Sequence, residues 1–258
     1  MPFSQYFRLI DIQARMALRA DASRFFLGYI WWILEPLLFV AVFYVVFNII
    51  LDSRKADFLV FLMCGKLTFI WFSKSVSNAS NSIVSSKGLI GKIDIPKTMF
   101  PMTMIQQAAY KQVVVFILLF GVLFAYDYSV TLTWLWIAPV IVVNYLMIVA
   151  CSFVGAYLVC LMRDFSLVIT LGMTFLLFTS GIFWDVRDLG SPEKTEAVLA
   201  YNPLAFILDA YRQILMYQTP PDMAHLMLIG FVSVIVIVFM GVLLQRSSKF
   251  LALKALTS

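Results

Sequence analysis

Apolar residues along this chain gather into runs of about twenty, the length that crosses the hydrocarbon core of a bilayer as a helix. The runs fall at roughly 28–50, 58–84, 100–126, 132–161, 165–183 and 224–244. Residues 1–24 follow another pattern. On a helical period, Arg8, Asp11, Arg15 and Arg19 share one narrow sector, while Phe3, Phe7, Ile10, Ala14 and Ala17 take the far side. A broad apolar face beside an arginine stripe predicts a helix lying in the membrane interface rather than a signal peptide. Residues 184–223 are too apolar for a solvated loop. From Pro203 to Tyr217 the apolar spacing is helical, with Asn202 as a cap and Pro203 at the first position. The charged stretch from Asp185 to Glu196 precedes it, which predicts a helical hairpin dipping part-way into the membrane. The pattern thus predicts an all-α membrane protein. It has six transmembrane helices, an N-terminal amphipathic interface helix (1–24), and a re-entrant helical hairpin (184–223) between spans five and six. No repeat or linker divides it, so residues 1–258 form one domain.

Composition sharpens the choice of solvent. Hydrophobic residues make up 62% and charged residues only 13%, with mean hydropathy +0.94. Too little polar surface remains to cover a soluble globule, whereas lipid needs no such cover. The net charge of +5 therefore reads as topology and not as a nucleic-acid footprint. With the N-terminus inside, cytoplasmic segments hold 11 Lys/Arg residues: Arg8, Arg15, Arg19, Arg24, Lys87, Lys92, Lys97, Arg163, Arg246, Lys249 and Lys254. Outer segments hold 5: Arg54, Lys55, Arg187, Lys194 and Arg212. Acidic residues run the other way, with Asp52, Asp57, Asp127, Asp185, Asp188, Glu193, Glu196, Asp209 and Asp222 outside. The positive-inside rule then puts both termini in the cytoplasm.

Three segments hold candidate function. The second span opens apolar and turns polar, with Ser73, Lys74, Ser77, Asn78, Ser80 and Asn81 on one side. Such a side avoids lipid, so it lines a pore or packs helix against helix through small residues. The connection 85–99 carries Lys87, Lys92 and Lys97 together with Leu89, Ile90, Ile93 and Ile95. Apolar residues rimmed by charge suit a docking surface, or a loop folded back on the membrane. The outer hairpin is the third segment, placed to act as a gate.

Catalytic chemistry is missing. The Gly-Lys pairs at 65–66 and 91–92 lack the upstream glycine and the following Ser/Thr of a phosphate-cradling loop. No paired carboxylates and no His/Cys cluster with metal-ligand spacing occur. Cys64, Cys151 and Cys160 sit in apolar runs, and His225 is the lone histidine. Neither a catalytic nor a metal site is expected, and any uphill work draws its energy from another protein.

Several motifs then resemble one family. Arg24-Phe-Phe-Leu-Gly-Tyr-Ile-Trp-Trp-Ile-Leu-Glu-Pro36 after a basic amphipathic start resembles the entry to the first span of type-2 ABC permeases. Those permeases export O-antigen, capsule or teichoic acid chains. The resemblance continues at Gly88-Leu-Ile-Gly-Lys92, Pro96, Pro101, Arg163-Asp164, Tyr201-Asn-Pro-Leu204 and Tyr211-Arg212. One departure stands out: many members carry Ser-Pro-Ile after the fifth span, and this chain has Ser180-Gly-Ile182.

The resemblance implies a homodimer in the bacterial cytoplasmic (inner) membrane, working with two copies of an ATPase subunit that binds ATP and Mg. It implies a channel for lipid-linked polysaccharide. It also implies ATPase coupling at Lys87, Leu89, Ile90, Lys92, Arg163 and Asp164, and an outer gate at Trp184, Asn202, Pro203, Tyr211 and Arg212. Ser73, Lys74, Ser77, Asn78 and Asn81 are the candidate channel lining, and Arg8, Arg15 and Arg19 mark the interface helix. No cofactor is expected in this chain itself, and no nucleic acid among its partners. A type-2 permease for a small molecule or drug would share the pattern, as fold alone does not fix cargo. A membrane enzyme on lipid-linked sugars would need an acid/base set that is not visible.

The charge asymmetry generates a direct test. Single cysteines replacing Ser53 and Ser191 should react with an impermeant thiol reagent in intact cells, and one replacing Ser248 only after permeabilisation. Reaction of the Ser248 position from outside would reject the predicted orientation.

Overall fold

The computed structural model describes residues 3–24, 26–50, 57–91 and 95–257. Among these every regular element is helical. In lipid this is the expected solution, because a helix satisfies its backbone hydrogen bonds internally. The helices are α1 (Phe3–Ser23), α2 (Trp31–Tyr44), α3 (Phe58–Ser85), α4 (Lys87–Ile90), α5 (Met99–Ala125) and α6 (Ile137–Leu161). They continue with α7 (Phe165–Thr179), α8 (Pro192–Tyr201), α9 (Pro203–Leu215), α10 (Met223–Arg246) and α11 (Ser248–Thr257).

Four helical stretches among the described residues are long and apolar enough to cross a membrane: Phe58–Ser85, Met99–Ala125, Leu132–Leu161 and Met223–Arg246. The segments 4–23 and 28–42 meet at a 99° bend and make a fifth if taken together as one broken span. Apolar α7 has only 15 residues. At 1.5 Å per residue it covers about 22 Å, less than the ~30 Å hydrocarbon core. The fifth apolar run, expected over 165–183, therefore gives a helix ending at Thr179. Its last residues instead form a turn, with Gly181 at φ +71°.

The core is centred on α3, which packs most extensively on α6 and α5 and also meets α2, α7 and α9. From Phe58 to Phe69 every residue of α3 is buried except half-buried Leu59. Close approach to α6 depends on Gly155: a Cβ there would collide with the Ser80 hydroxyl and come within 2.9 Å of the Ser80 Cβ. Small residues facing one another let two backbones pack where lipid supplies no hydrophobic drive. Rings join the outer half. Phe116 of α5 lies 5.9 Å from Trp71 and stacks on Tyr211 of α9 at 6.1 Å, while Phe120 stacks on Trp134 at 5.6 Å.

The amphipathic start is stapled to α5. Ile10, Ala14 and Ala22 are buried, and α1 packs along α5. Polar pairs run the length of that contact. The Tyr6 hydroxyl donates to Thr98 (3.0 Å), Thr103 to Gln13 (3.3 Å), Tyr110 to Asp11, and Gln107 and Lys111 to Asp21 (2.8 and 2.6 Å). The Tyr110 hydroxyl, with Arg15 adding, holds the Asp11 carboxyl below the ordinary carboxylate range. Arg8, Arg15 and Arg19 are exposed, as are Phe7 and Met16. Much of the apolar face expected to meet lipid thus meets α5 instead.

The sequence pattern does not separate α11 from the last span. It turns back beneath the bundle, buries Leu251 and Ala255, and packs on α4, α6 and α3. The Cys160 thiol donates to the Leu251 carbonyl (3.5 Å).

Gly155→Ala should lower detergent-phase thermal stability by about 1–3 kcal/mol, the ordinary cost of overpacking. Adding Ser80→Gly removes the atoms in its way and should recover a large part of that loss. A double-mutant cycle showing strict additivity would disprove the α3–α6 contact.

Candidate functional site

The polar half of α3 begins where its all-round burial stops. Among its candidate lining residues, Lys74 and Asn78 are exposed, and Ser73, Ser77 and Asn81 are half-buried. Ser80, expected on that same side, is instead buried against α6, and Ser75 and Ser82 are buried as well. Two kinds of polar residue are therefore mixed in one helix. Ser80 and Ser82 satisfy themselves on carbonyls of their own helix, Val76 and Ala79, and Asn81 likewise donates to the Ser77 carbonyl (2.9 Å), while Lys74 and Asn78 reach an exposed surface. Lys74 is held by Glu35 of α2 at 2.5 Å. The Glu35-Pro36 pair at the start of the first span thus supplies the counter-charge that an intramembrane lysine needs.

Other residues join this region that the periodicity does not mark. Lys111, Gln107 and Gln112 belong to the third apolar run but sit in its first half, before the continuous apolar stretch from Val113. Lys111 pairs with Asp21 at 2.6 Å and lies over the Trp32 ring at 5.5 Å. Together with Lys74, Glu35 and Asn78 they line one cleft of about 300 Å³ between α2, α3, α5 and the end of α1. An intramembrane cation is a functional signal by default, and Lys111 meets that criterion as fully as Lys74.

The segment expected to form the outer hairpin contains a pair of short helices joined at Asn202. The side-chain carbonyl oxygen of Asn202 caps α9 by accepting from the Ala205 N–H (3.1 Å), with Pro203 at the first position. Its amide nitrogen donates to Ser180 Oγ (3.1 Å) and the Thr179 carbonyl (3.4 Å) at the end of α7. One residue thus starts one helix and ties it to the end of another. Ser191 and Pro192 play the corresponding capping roles for α8.

Helix α9 is buried from Leu204 to Leu215 without a break. Its charged side chains and Gln213 are accordingly paired. Arg212, 1% exposed, donates to the carbonyls of Gly181 (2.6 Å), Ile182 (3.2 Å) and Phe61 (3.3 Å). Its guanidinium lies 3.5 Å from the Phe61 ring centroid. Space for it is left by Gly65, where a Cβ would collide with Nη2. Asp209, 2% exposed, accepts a two-pronged contact from Arg187 (3.0 and 2.8 Å) and one from Gln213 (2.7 Å).

The Ser180-Gly-Ile182 turn now has a reason. Gly181 sits at φ +71°, and a Cβ there would lie 2.5 Å from Val186. Proline, fixed near φ −65°, could not hold its carbonyl toward Arg212 in this way. Trp184 donates to the Phe178 carbonyl (2.9 Å), and Tyr211 is fully buried. Trp184, Asn202 and Arg212 therefore all bond to the end of α7 and the turn after it, whereas Tyr211 faces Phe116 of α5.

The connection 85–99 divides differently. Lys87 and Leu89 are exposed, but Ile90 is buried at 7% exposure within the core cluster that includes Leu251 and Ala255 of α11. Arg163 and Asp164 are exposed at the turn between α6 and α7. Lys92 lies outside the described residues. His225 stacks on Phe206 at 4.4 Å, and Cys64 and Cys160 are buried.

No protein-family model matches the chain. Individual relatives do. An O-antigen export system permease protein RfbA of Klebsiella pneumoniae is 24% identical over 214 residues, which cover 83% of this chain and 82% of that one. A second K. pneumoniae protein of that name is 25% identical over 190 residues (73% of each chain). A Myxococcus xanthus protein of that name is 23% identical over 233 residues, 90% of each chain. The chain resembles the permease subunits of type-2 ABC polysaccharide exporters. The likeness is not local: it extends over most of the length of each relative.

Replacing Arg212 by leucine leaves three buried carbonyls without their shared donor. Each unsatisfied group costs about 1–3 kcal/mol, so Arg212→Leu should unfold in detergent at clearly lower temperature than Arg19→Leu, whose side chain is exposed on α1. Equal losses would mean that Arg212 does not hold the α3–α7–α9 junction.

Proposed function

We propose that this chain is the membrane-spanning subunit of an ATP-driven exporter that moves lipid-linked polysaccharide across the bacterial cytoplasmic membrane. Its near full-length likeness to proteins named O-antigen export permeases carries the reading. Two copies of this chain work with two copies of a separate ATPase. Each copy crosses the membrane six times with both ends inside, short α7 and the α2 region serving as the fifth and first crossings.

In this reading the strip of α3 (Ser73, Lys74, Ser77, Asn78 and Asn81) lines the path. A hydroxyl-rich polymer needs many weak hydrogen-bond partners, since tight binding at one place would stall movement. Serine hydroxyls and asparagine amides spaced along one helix face supply them. Helices α8 and α9 close the outer end, and their Arg212 and Asn202 ties to α3 and α7 set the resting position. On the inner side Lys87, Leu89, Arg163 and Asp164 face the ATPase, with Ile90 fixing α4 to α11 so that Leu89 points away from the bundle.

Two measurements test this. In a strain lacking the gene, surface polysaccharide should disappear while lipid-linked polymer accumulates inside, and the gene should restore export. Leu89→Asp should then weaken capture of the ATPase at unchanged membrane insertion, because a docked carboxylate without a partner is strongly disfavoured. Ile90→Asp should instead destabilise the permease itself, since its side chain is in the core. Unaltered ATPase capture by Leu89→Asp would exclude α4 as the docking element. For the path, cysteines at 73, 77 and 81 should react with an impermeant thiol reagent in an ATP-trapped state, and silence at all three would place the path elsewhere.

A further inference from the structure

The cleft between α2, α3, α5 and the end of α1 is built more elaborately than a lining surface needs to be. Two lysine–carboxylate pairs flank it, Lys74 with Glu35 at 2.5 Å and Lys111 with Asp21 at 2.6 Å. Trp31, Trp32 and Trp71 contribute its rings, and Asn78, Gln107 and Gln112 its amides. Two of these side chains, Trp71 and Gln112, are each only 5% exposed. Yet the Trp71 indole N–H and the Gln112 amide nitrogen have no acceptor among the described residues. Buried donors in folded proteins are nearly always paired, so each unpaired one calls for an explanation. Both side chains also border a second, apolar cavity toward α6, so they wall the cleft, while the half-exposed lysine–carboxylate pairs, exposed Asn78 and the Trp31 and Trp32 rings are what it offers a ligand.

We infer that this cleft is a subsite for one neutral sugar ring, which gives the export reading a defined point of first contact. The inference rests on that reading and adds a place and a selectivity to it. Charge decides the ligand class. Two cations and two carboxylates cancel, and each lysine already has its counter-ion, so a phosphate arriving here would face Glu35 and Asp21 as well as the lysines. A ring bearing hydroxyls meets no such penalty: hydroxyls accept from lysine, indole and amide N–H groups and donate to the carboxylates. The apolar C–H face of a pyranose suits the electron-rich face of an indole. The volume of about 300 Å³ is at the small end of ligand pockets, which suits a single ring rather than a polymer segment. The depth also fits. Lys74 is eleven residues from Ser85 and Lys111 twelve from Met99, so at 1.5 Å per residue both lie about 17 Å in from the cytoplasmic ends. A sugar entering from that side meets the cleft before the sealed outer half of α3.

The test uses the purified full chain in detergent, with Cys64, Cys151 and Cys160 replaced by alanine and a reporter Ala108→Cys on the cleft wall. The labelling rate of the cysteine at 108 is followed with methyl glycosides of glucose, galactose, mannose and rhamnose, and with inorganic pyrophosphate. At least one glycoside should slow labelling by about threefold at millimolar concentration, and pyrophosphate should leave it unchanged. Asn78→Leu, which removes the exposed amide of the cleft, should abolish the glycoside effect. Glu35→Gln, which leaves the cleft net positive, should make pyrophosphate protective. A Ser129→Cys reporter on the outer loop should ignore every ligand and confirm that the variants stay folded. Protection by pyrophosphate without the Glu35 change would reassign the cleft to phosphate, and no protection by any glycoside would overturn the subsite. If that happens while the gene still restores export, only the subsite falls. If export is not restored, the permease reading falls whatever the cleft binds.

Discussion

A single guanidinium decides how the outer part of this molecule is put together. Arg212 reaches from α9 to two carbonyls just past the end of α7 and to one in the first turn of α3, while resting on the Phe61 ring. The carbonyls beyond a helix end have no partner of their own, and in a water-poor setting they must be given one. Arginine can serve three at once because its donors form a rigid fork that keeps its charge. Around that contact other choices become obligatory. Gly65 leaves room for the fork, Gly181 presents a carbonyl in a backbone region closed to most residues, and Asn202 holds the start of α9 against the end of α7.

The same economy explains why α3 is polar in only one half. Its outer half is enclosed by α9 and the other helices, so polar side chains there would need partners, and the residues are mostly apolar. Its inner half has one covered side and one open side. Polar residues sit on both: covered Ser80 and Ser82 fold back on their own helix, while Lys74 and Asn78 stay exposed. The polar first half of α5 follows suit, its glutamines and lysine answered by α1 and by the cleft.

Much of this architecture is legible in the amino-acid sequence. Long apolar runs mark the four long helices to within a few residues, because in lipid the period and length of a run are set by the solvent. Asn202-Pro203 marks the start of α9, since a cap and a first-turn proline act locally. What stays hidden are relationships between distant segments. Lys74 is recognisable as an intramembrane cation, but its partner Glu35 is 39 residues away, and no periodicity connects them. Lys111 escapes notice because the run around it averages out as strongly apolar. Ile90 resembles a docking residue for want of any sign that α11 folds back to cover it. The interface helix is visible as an arginine stripe, yet its small residues, Ala14 and Ala22, serve contact with α5, which a helical wheel cannot distinguish from contact with lipid.

The enclosed outer half of α3 also bears on leakage. From Phe58 to Phe69 the helix is covered by residues of its own chain, with Leu59 half-buried, so no other chain is needed to enclose this stretch. A membrane that stores a potential puts about 2.3 kcal/mol behind each charge per 100 mV, and an unassembled subunit with a water-filled bore would discharge it. A stretch enclosed within one chain leaves no such bore beside α3 between Phe58 and Phe69.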